Sequence, residues 1–155
     1  NEMDDFTTRP GEPNAFGLVQ SRRNAVEAGK RPLSSMTPTV VLPKVAPGAQ
    51  PLLVVGASGG PRIITGTLQV VLNVLDHGLS PGRAISAARL HHQWQPNLLR
   101  HEAGVAEAAV RSLRGAGHKL DGAPQSFGVV QAAGVADGTK SGASDPRKHG
   151  HAQAW

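Results

Sequence analysis

The sequence predicts an α+β fold. Three observations predict it. Short apolar runs of strand length stand at 40–42 and 52–55, and 125–132 reads as a further strand. Apolar residues at helical spacing fill 61–76, with shorter stretches of the same kind at 81–88 and 105–114. Nineteen glycines and twelve prolines punctuate the chain, so turns separate nearly every element. At 155 residues, with 39% hydrophobic and 17% charged residues, the chain can form one domain with a real core. Aromatics are only 3%, so Val, Leu, Ile and Ala must fill that core.

The chain opens on an acidic stretch, Asn1-Glu2-Met3-Asp4-Asp5-Phe6. Glu2 and Asp5 are three apart, a spacing that brings two carboxylates to one side of a turn or short helix. Such a pair can hold an ammonium group; a solvated acidic terminus is the ordinary alternative. Residues 7–14, rich in Thr, Pro and Gly, are loop. The run 15–19 is too short to classify, and polar residues 21–30 read as a further loop. In Arg31-Pro32-Leu33-Ser34-Ser35-Met36-Thr37-Pro38, two prolines hold the chain extended or turned around adjacent hydroxyls. Ser34 and Ser35 can bind a carboxylate with nearby backbone N–H groups, or close a hydrogen-bonded turn. Residues 40–42 then read as a strand, 47–50 as a hairpin turn, and 52–55 as its partner.

Gly56, Gly59 and Gly60 follow this strand, and Pro61 suits the first helical position. Ile64, Leu68, Val71 and Leu75 fall on one face of the helix, widened by Ile63, Val70 and Val74. Thr65, Gln69 and Asp76 fall on the other, and Gly78 ends the helix. A strand leading through glycines into a helix start exposes unpartnered N–H groups to close approach. That suits a phosphate, a carboxylate or the oxyanion of acyl transfer; a tight turn packing helix on sheet is the plainer alternative. No Gly-Lys-Ser/Thr follows, and the spaced dinucleotide fingerprint is absent.

Ser80-Pro81 caps a second helix over 81–88. His91-His92-Gln93-Trp94 follows; adjacent histidines cannot face one way on a helix or strand, so they read as structural and not as a metal pair. Residues 95–100 are irregular or a short strand. Val105, Ala109 and Leu113 form the stripe of a third helix closed by Gly115 and Gly117. Residues 125–132 and a last strand ending near Ser144 flank the turn signal Asp137-Gly138. Residues 145–155 look like a tail. Neither an internal repeat nor a linker divides the chain.

Composition also excludes. With no cysteine there are no disulfides, thiolate metal sites or cysteine nucleophile. The formal charge of +5 is scattered, and the pairs Arg22-Arg23 and Lys30-Arg31 are not interleaved with aromatics, so nothing points to nucleic acid. No apolar run is long enough to span a membrane. The chain begins at Asn1 without a start methionine or signal segment, which suggests a processed subunit or fragment and leaves the parent's destination unread.

Five blocks occur in order: Asn1 to Phe6; Lys30 to Met36; Gly59-Gly60 before Arg62-Ile63-Ile64; His91-His92-Gln93-Trp94; and Gly142-Ala143-Ser144-Asp145-Pro146-Arg147. Together they resemble the C-terminal part of the small subunit of a γ-glutamyltranspeptidase (glutathione hydrolase). The resemblance implies an N-terminal-nucleophile hydrolase fold, an αββα sandwich of which this chain is part. It implies a partial small-subunit domain over 1–147, with 148–155 as a tail. It implies a precursor that cuts itself into large and small subunits, and a new N-terminal threonine that attacks the γ-glutamyl amide, its α-amino group serving as base. Water or an amino-acid or dipeptide acceptor then takes the glutamyl group; no cofactor or metal is implied.

Residue by residue, Glu2 and Asp5 match the pair that binds the donor's α-ammonium, where the family uses Gln or Glu at Glu2. Ser34 and Ser35 match the serines that bind its α-carboxylate. Gly59 and Gly60 match the pair whose N–H groups form the oxyanion hole, and Asp145 and Arg147 match a late block given a structural role. The family's nucleophile lies upstream of Asn1, and Thr7-Thr8, after the acidic block, is not that residue. The large subunit, source of an arginine to the substrate carboxylate, is a separate chain. Ala57-Ser58 and Pro61 replace the commoner Ser-Pro and Ser around the glycine pair. These features imply γ-glutamyl hydrolysis or transfer by the complete protein, periplasmic or secreted, and an inactive isolated chain. The alternatives are a glutaryl or cephalosporin acylase, a poly-γ-glutamate-processing enzyme, or an inactive paralogue. A glutaryl donor has no α-amino group and would not need Glu2 and Asp5.

Overall fold

The computed structural model describes residues 2–44, 46–136 and 138–153, with the backbone alone for Glu2, Asp4 and Ala136. Its centre is a four-stranded antiparallel sheet of β1 (Thr39–Val41), β2 (Leu53–Ser58), β5 (Val129–Ala136) and β6 (Thr139–Ala143), in the order β1-β2-β5-β6. Helices α1 (Arg62–Leu75) and α2 (Pro81–Ser86) pack on one face of it. A two-stranded ribbon, β3 (Leu90–His91) with β4 (Arg100–His101), and helix α3 (Glu107–Gly115) complete the order.

Alternation in β2 sets which face is buried. Leu53 and Val55 point to the helices and lose all or nearly all solvent contact, while Val54 between them stays exposed. Register carries the pattern across the sheet: Val55 lies beside Thr39 and Ala132, and Ala132 beside Ala143. Leu53, Val55, Ala132 and Ala143 meet Val70 of α1 and Ala84 and Ile85 of α2 in the core. Burying a branched side chain of this size contributes about 1.5–3 kcal/mol. Gly134 is required where α2 crosses, since a Cβ there would stand 2.7 Å from the Leu52 carbonyl oxygen and 3.2 Å from Pro81.

Several elements differ from their sequence expectations. Helix α1 buries Ile63, Gly66, Thr67 and Val70, whereas Ile64, Leu68 and Leu75 of the expected core stripe are exposed. The helix is apolar on two sides, and periodicity alone cannot choose between them. The expected polar side is not solvated either: the Gln69 amide donates to Leu90 O and accepts from Leu90 N–H, both at 2.8 Å, as a neighbouring strand would. Pro61 precedes the helix as its cap instead of opening it. In α3, Val110 is buried and Ala109 of the expected stripe is exposed. Strand β5 begins at Val129 and not at 125, because Gly128 turns the backbone out of the extended form with φ +70° and Glu102 takes the Phe127 N–H before it. Residues 145–147, read from composition as tail, are part of the packed domain, with Asp145 fully buried; residues 148–153 are exposed.

Candidate active site

The turn after β2 is built for close backbone approach. Gly59 has φ +134° and Gly60 φ +60°, conformations that side chains rarely tolerate. A Cβ on Gly60 would stand 2.5 Å from the Phe16 ring, and one on Gly59 3.1 Å from the Gly128 Cα. The turn closes with Arg62 N–H to Gly59 O and Ile63 N–H to Gly60 O. Among the described residues, no acceptor meets the Gly59 or Gly60 N–H itself. Two such donors ahead of a helix start can receive an anion or a developing negative charge.

Below this turn lies a paired set of charges. Asp145 accepts from Arg89 Nη2 at 2.8 Å, Val130 N–H at 2.7 Å and Arg147 N–H at 2.9 Å. Glu102 accepts from Arg89 N–H at 3.0 Å, Phe127 N–H at 3.2 Å and the Arg147 guanidinium. Burial alone would raise the Asp145 carboxyl, but the two N–H donors and Arg89 outweigh it and hold it below its ordinary value. Burial likewise opposes charge on Arg147, and Glu102 and Asp145 overcome it, raising that group. The two carboxylates thus fix the chain on both sides of Gly128, the residue against which Gly59 rests.

Asp5, Ser35, Gly59 and Gly60 line one cavity of about 810 Å3, together with Phe6, Thr8, Phe16 and Ser58 among others. Asp5 comes from a 3-10 turn, Glu2–Asp5. Ser34 stands outside the lining, and its Oγ accepts from Met36 N–H at 3.1 Å, closing a local turn. The Glu2 side chain and Asn1 lie outside the described residues.

Asn24, in a stretch whose polar composition predicts a loop, joins the 3-10 turn that ends at Asp5 to the segment that leads into Ser34-Ser35. Its Nδ2 donates to Asp5 O at 2.7 Å and its Oδ1 accepts from Leu33 N–H at 2.8 Å, while its own carbonyl accepts from Thr7 N–H at 2.9 Å. Thr37 is tied in turn to buried Thr67 on α1 at 3.2 Å. An Asn in a polar stretch carries no periodic signal, so only the fold reveals this role.

His91 and His92 do not converge on one point: His91 bonds Thr65 and Gln93, and His92 bonds Asn97. Burial first, then the charges of Arg62, Arg100 and His92, lower the His91 pKa against the opposing bond to Gln93, so it stays neutral. Among the described residues there is no cluster of His, Asp and Glu that could hold a metal ion.

The family model of gamma-glutamyltranspeptidases matches residues 1–155. This chain belongs to that family. It is 45% identical over 148 residues to the glutathione hydrolase proenzyme of Escherichia coli, covering 95% of this chain and 25% of that protein. It superposes on the Pseudomonas nitroreducens gamma-glutamyltranspeptidase complexed with L-DON with a TM-score of 0.82 at 39% identity, covering 100% of this chain and 80% of that one. A mutant of the Helicobacter pylori gamma-glutamyltranspeptidase gives a TM-score of 0.80 at 43% identity, covering 96% and 80%. The fold is therefore that of the N-terminal-nucleophile hydrolases, as the resemblance implied. The chain spans about a quarter of the length of the curated relatives it matches. No helix among the described residues is long and apolar enough to cross a membrane.

Proposed function

We propose that this chain is the donor-binding part of an enzyme that cleaves γ-glutamyl amides such as glutathione through a γ-glutamyl-enzyme. The observation that carries the reading is the convergence of Asp5, Ser35, Gly59 and Gly60, from three separate segments, on one cavity. A γ-glutamyl donor is a zwitterion at one end and an amide at the other. Glu2 and Asp5 hold its α-ammonium, and the Gly59 and Gly60 N–H groups face the γ-carbonyl oxygen. Ser35, which lines the cavity, holds its α-carboxylate, with Ser34 beside it contributing the hydroxyl hydrogen that its turn with Met36 leaves unspent.

The nucleophile is a threonine at the start of the processed small subunit, upstream of the present residues. Its hydroxyl attacks the γ-carbonyl carbon as its own α-amino group takes the proton. Negative charge then gathers on the carbonyl oxygen, where two preorganised N–H donors stabilise the intermediate more than the planar amide. The leaving amine departs with a proton, leaving an ester. Water, an amino acid or a dipeptide resolves it. A large subunit from the same precursor completes the carboxylate end, and the assembled protein works in the periplasm or outside the cell.

The test uses protein from the complete parent gene. Chromophore release from a γ-glutamyl anilide is compared with release from a glutaryl anilide, with Asp5→Ala alongside. The expected result is preference for the γ-glutamyl substrate, reduced at least about tenfold in Asp5→Ala, as for loss of a charge-assisted hydrogen bond. Equal or better use of the glutaryl anilide would move the protein to the acylases. No turnover by a self-cleaved protein would make it an inactive paralogue.

A further inference from the structure

The block His91-His92-Gln93-Trp94 has no part in the proposed donor contacts, yet two of its residues bond the segments on either side of the glycine turn, Phe16 and the first turn of α1. Gln93 spends both amide hydrogens on carbonyls, Phe16 O at 2.6 Å and Gln95 O at 2.9 Å. Its Oε1 must then accept, and it faces His91 Nε2 at 2.7 Å. The His91 proton is thereby fixed on Nε2, leaving Nδ1 to accept from the Thr65 hydroxyl at 2.7 Å. His91 is fully buried against Phe127, and Thr65 lies in the first turn of α1, the helix that the glycine turn opens.

The segment that Gln93 holds is stiff in itself. Asn14 Oδ1 accepts from the Phe16 and Leu18 N–H groups at 2.9 and 3.0 Å, and Asn14 O from Gly17 N–H at 2.8 Å. Such a tip is braced within itself, and among the described residues its hydrogen bond to the block at 91–95 is the one from Gln93 to the Phe16 carbonyl, beside a close approach of Gly17 to Pro96. Docked, it sets the Phe16 ring directly against the Gly60 Cα, with the Arg62 guanidinium 5.9 Å from the ring centre.

We propose that Gln93, oriented by His91, is a positioning residue for acyl transfer: it seats Phe16 against Gly60 and so fixes the direction of the glycine N–H groups. This rests on the γ-glutamyl reading for its catalytic consequence, but not for the tether itself. A charge-stabilising turn gains its effect from being held before the reaction starts, so a loosened backing lowers the rate of acylation more than it weakens donor binding.

The experiment uses the mature parent enzyme and the γ-glutamyl anilide, with Gln93→Met, Phe16→Ala and the double variant. Gln93→Met keeps the bulk and removes the hydrogen bonds. The expected result is a single-turnover acylation rate about tenfold lower, the loss of one such bond, with KM changed by less than about threefold. In the Phe16→Ala background, Gln93→Met should cost nothing further. Additive effects, or a loss seen only in KM, would overturn the positioning role. Hydrogen exchange on the same proteins tests the tether without turnover. Gln93→Met should speed exchange over 13–19 and leave 129–136 protected, and unchanged exchange over 13–19 would overturn it. Should the parent lack turnover while exchange responds as expected, the γ-glutamyl reading and the catalytic role fail together and the tether stands.

Discussion

Arg89 and Asp145 meet at 2.8 Å with both side chains withdrawn from solvent, joining the link between α2 and β3 to the segment after β6. Such a pair stabilises little relative to an apolar replacement, but removing one partner strands a buried charge. Asp145→Asn should therefore cost the mature parent protein about 3–5 kcal/mol in a urea titration. The pH dependence has a fixed sign. Asp145 is held below its ordinary value of 3.8, so its contribution is complete above that pH and is lost as pH falls through the lower folded value. The Asn variant should lack that acid segment of the stability curve. An unchanged midpoint in Asp145→Asn would mean that the cluster holds nothing the rest of the domain does not.

Gly60 cannot accept a side chain. Alanine there must adopt a left-handed conformation and displace the Phe16 ring, 2.5 Å from the new methyl. Gly60→Ala should lower kcat on the γ-glutamyl anilide by about 100- to 1,000-fold, the scale of losing one oxyanion donor. Adding Phe16→Ala relieves the clash but not the backbone strain, and should restore only part of the loss. Full activity in Gly60→Ala would remove this turn from the mechanism.

Asn24 is 19 residues from Asp5 and nine from Leu33, and it hydrogen-bonds both. It sets the spacing between the proposed ammonium and carboxylate holders from outside the cavity lining. Asn24→Ala should raise KM for the γ-glutamyl anilide about tenfold, with kcat within about threefold. Asn24→Asp keeps an acceptor for Leu33 N–H and loses the donor to Asp5 O, so it should fall between. A drop in kcat at unchanged KM would place the damage elsewhere.

What was legible in the sequence follows from what local patterns encode. The β1–β2 pair, the glycine turn and the β5–β6 pair were readable because turn chemistry and alternation are local; Asp137 of the expected turn lies outside the described residues. The inner face of α1 was not, because Ile64 and Leu68 are as apolar as Ile63 and Val70, and only the sheet beneath decides between them. Spacing puts Gln69 only on the side of α1 away from the apolar stripe, and does not reveal that it pairs with Leu90 across 21 positions. The candidate site was legible through the ordered blocks, since neither Ser35 nor Asp5 is distinctive alone. Asn24 and Gln93 were not, because their roles consist of hydrogen bonds between segments remote in sequence.

The apolar surface that the fold leaves uncovered makes the last prediction. On the sheet's outer face, Val40 and Val54 are directly paired and both exposed. On the outer side of α1, Ile64, Leu68, Leu72 and Leu75 run exposed along the helix. Two such faces on opposite sides of one layer pair exceed the scattered apolar exposure of an ordinary soluble surface. Expressed as these 155 residues alone, the chain should self-associate, bind a hydrophobic dye and show no turnover of the γ-glutamyl anilide. Val54→Lys with Leu68→Lys should reduce the association by charging both faces while leaving the inward-facing core intact. Sedimentation of the two proteins decides it: a well-behaved monomer of the unaltered chain would mean that these faces need no cover.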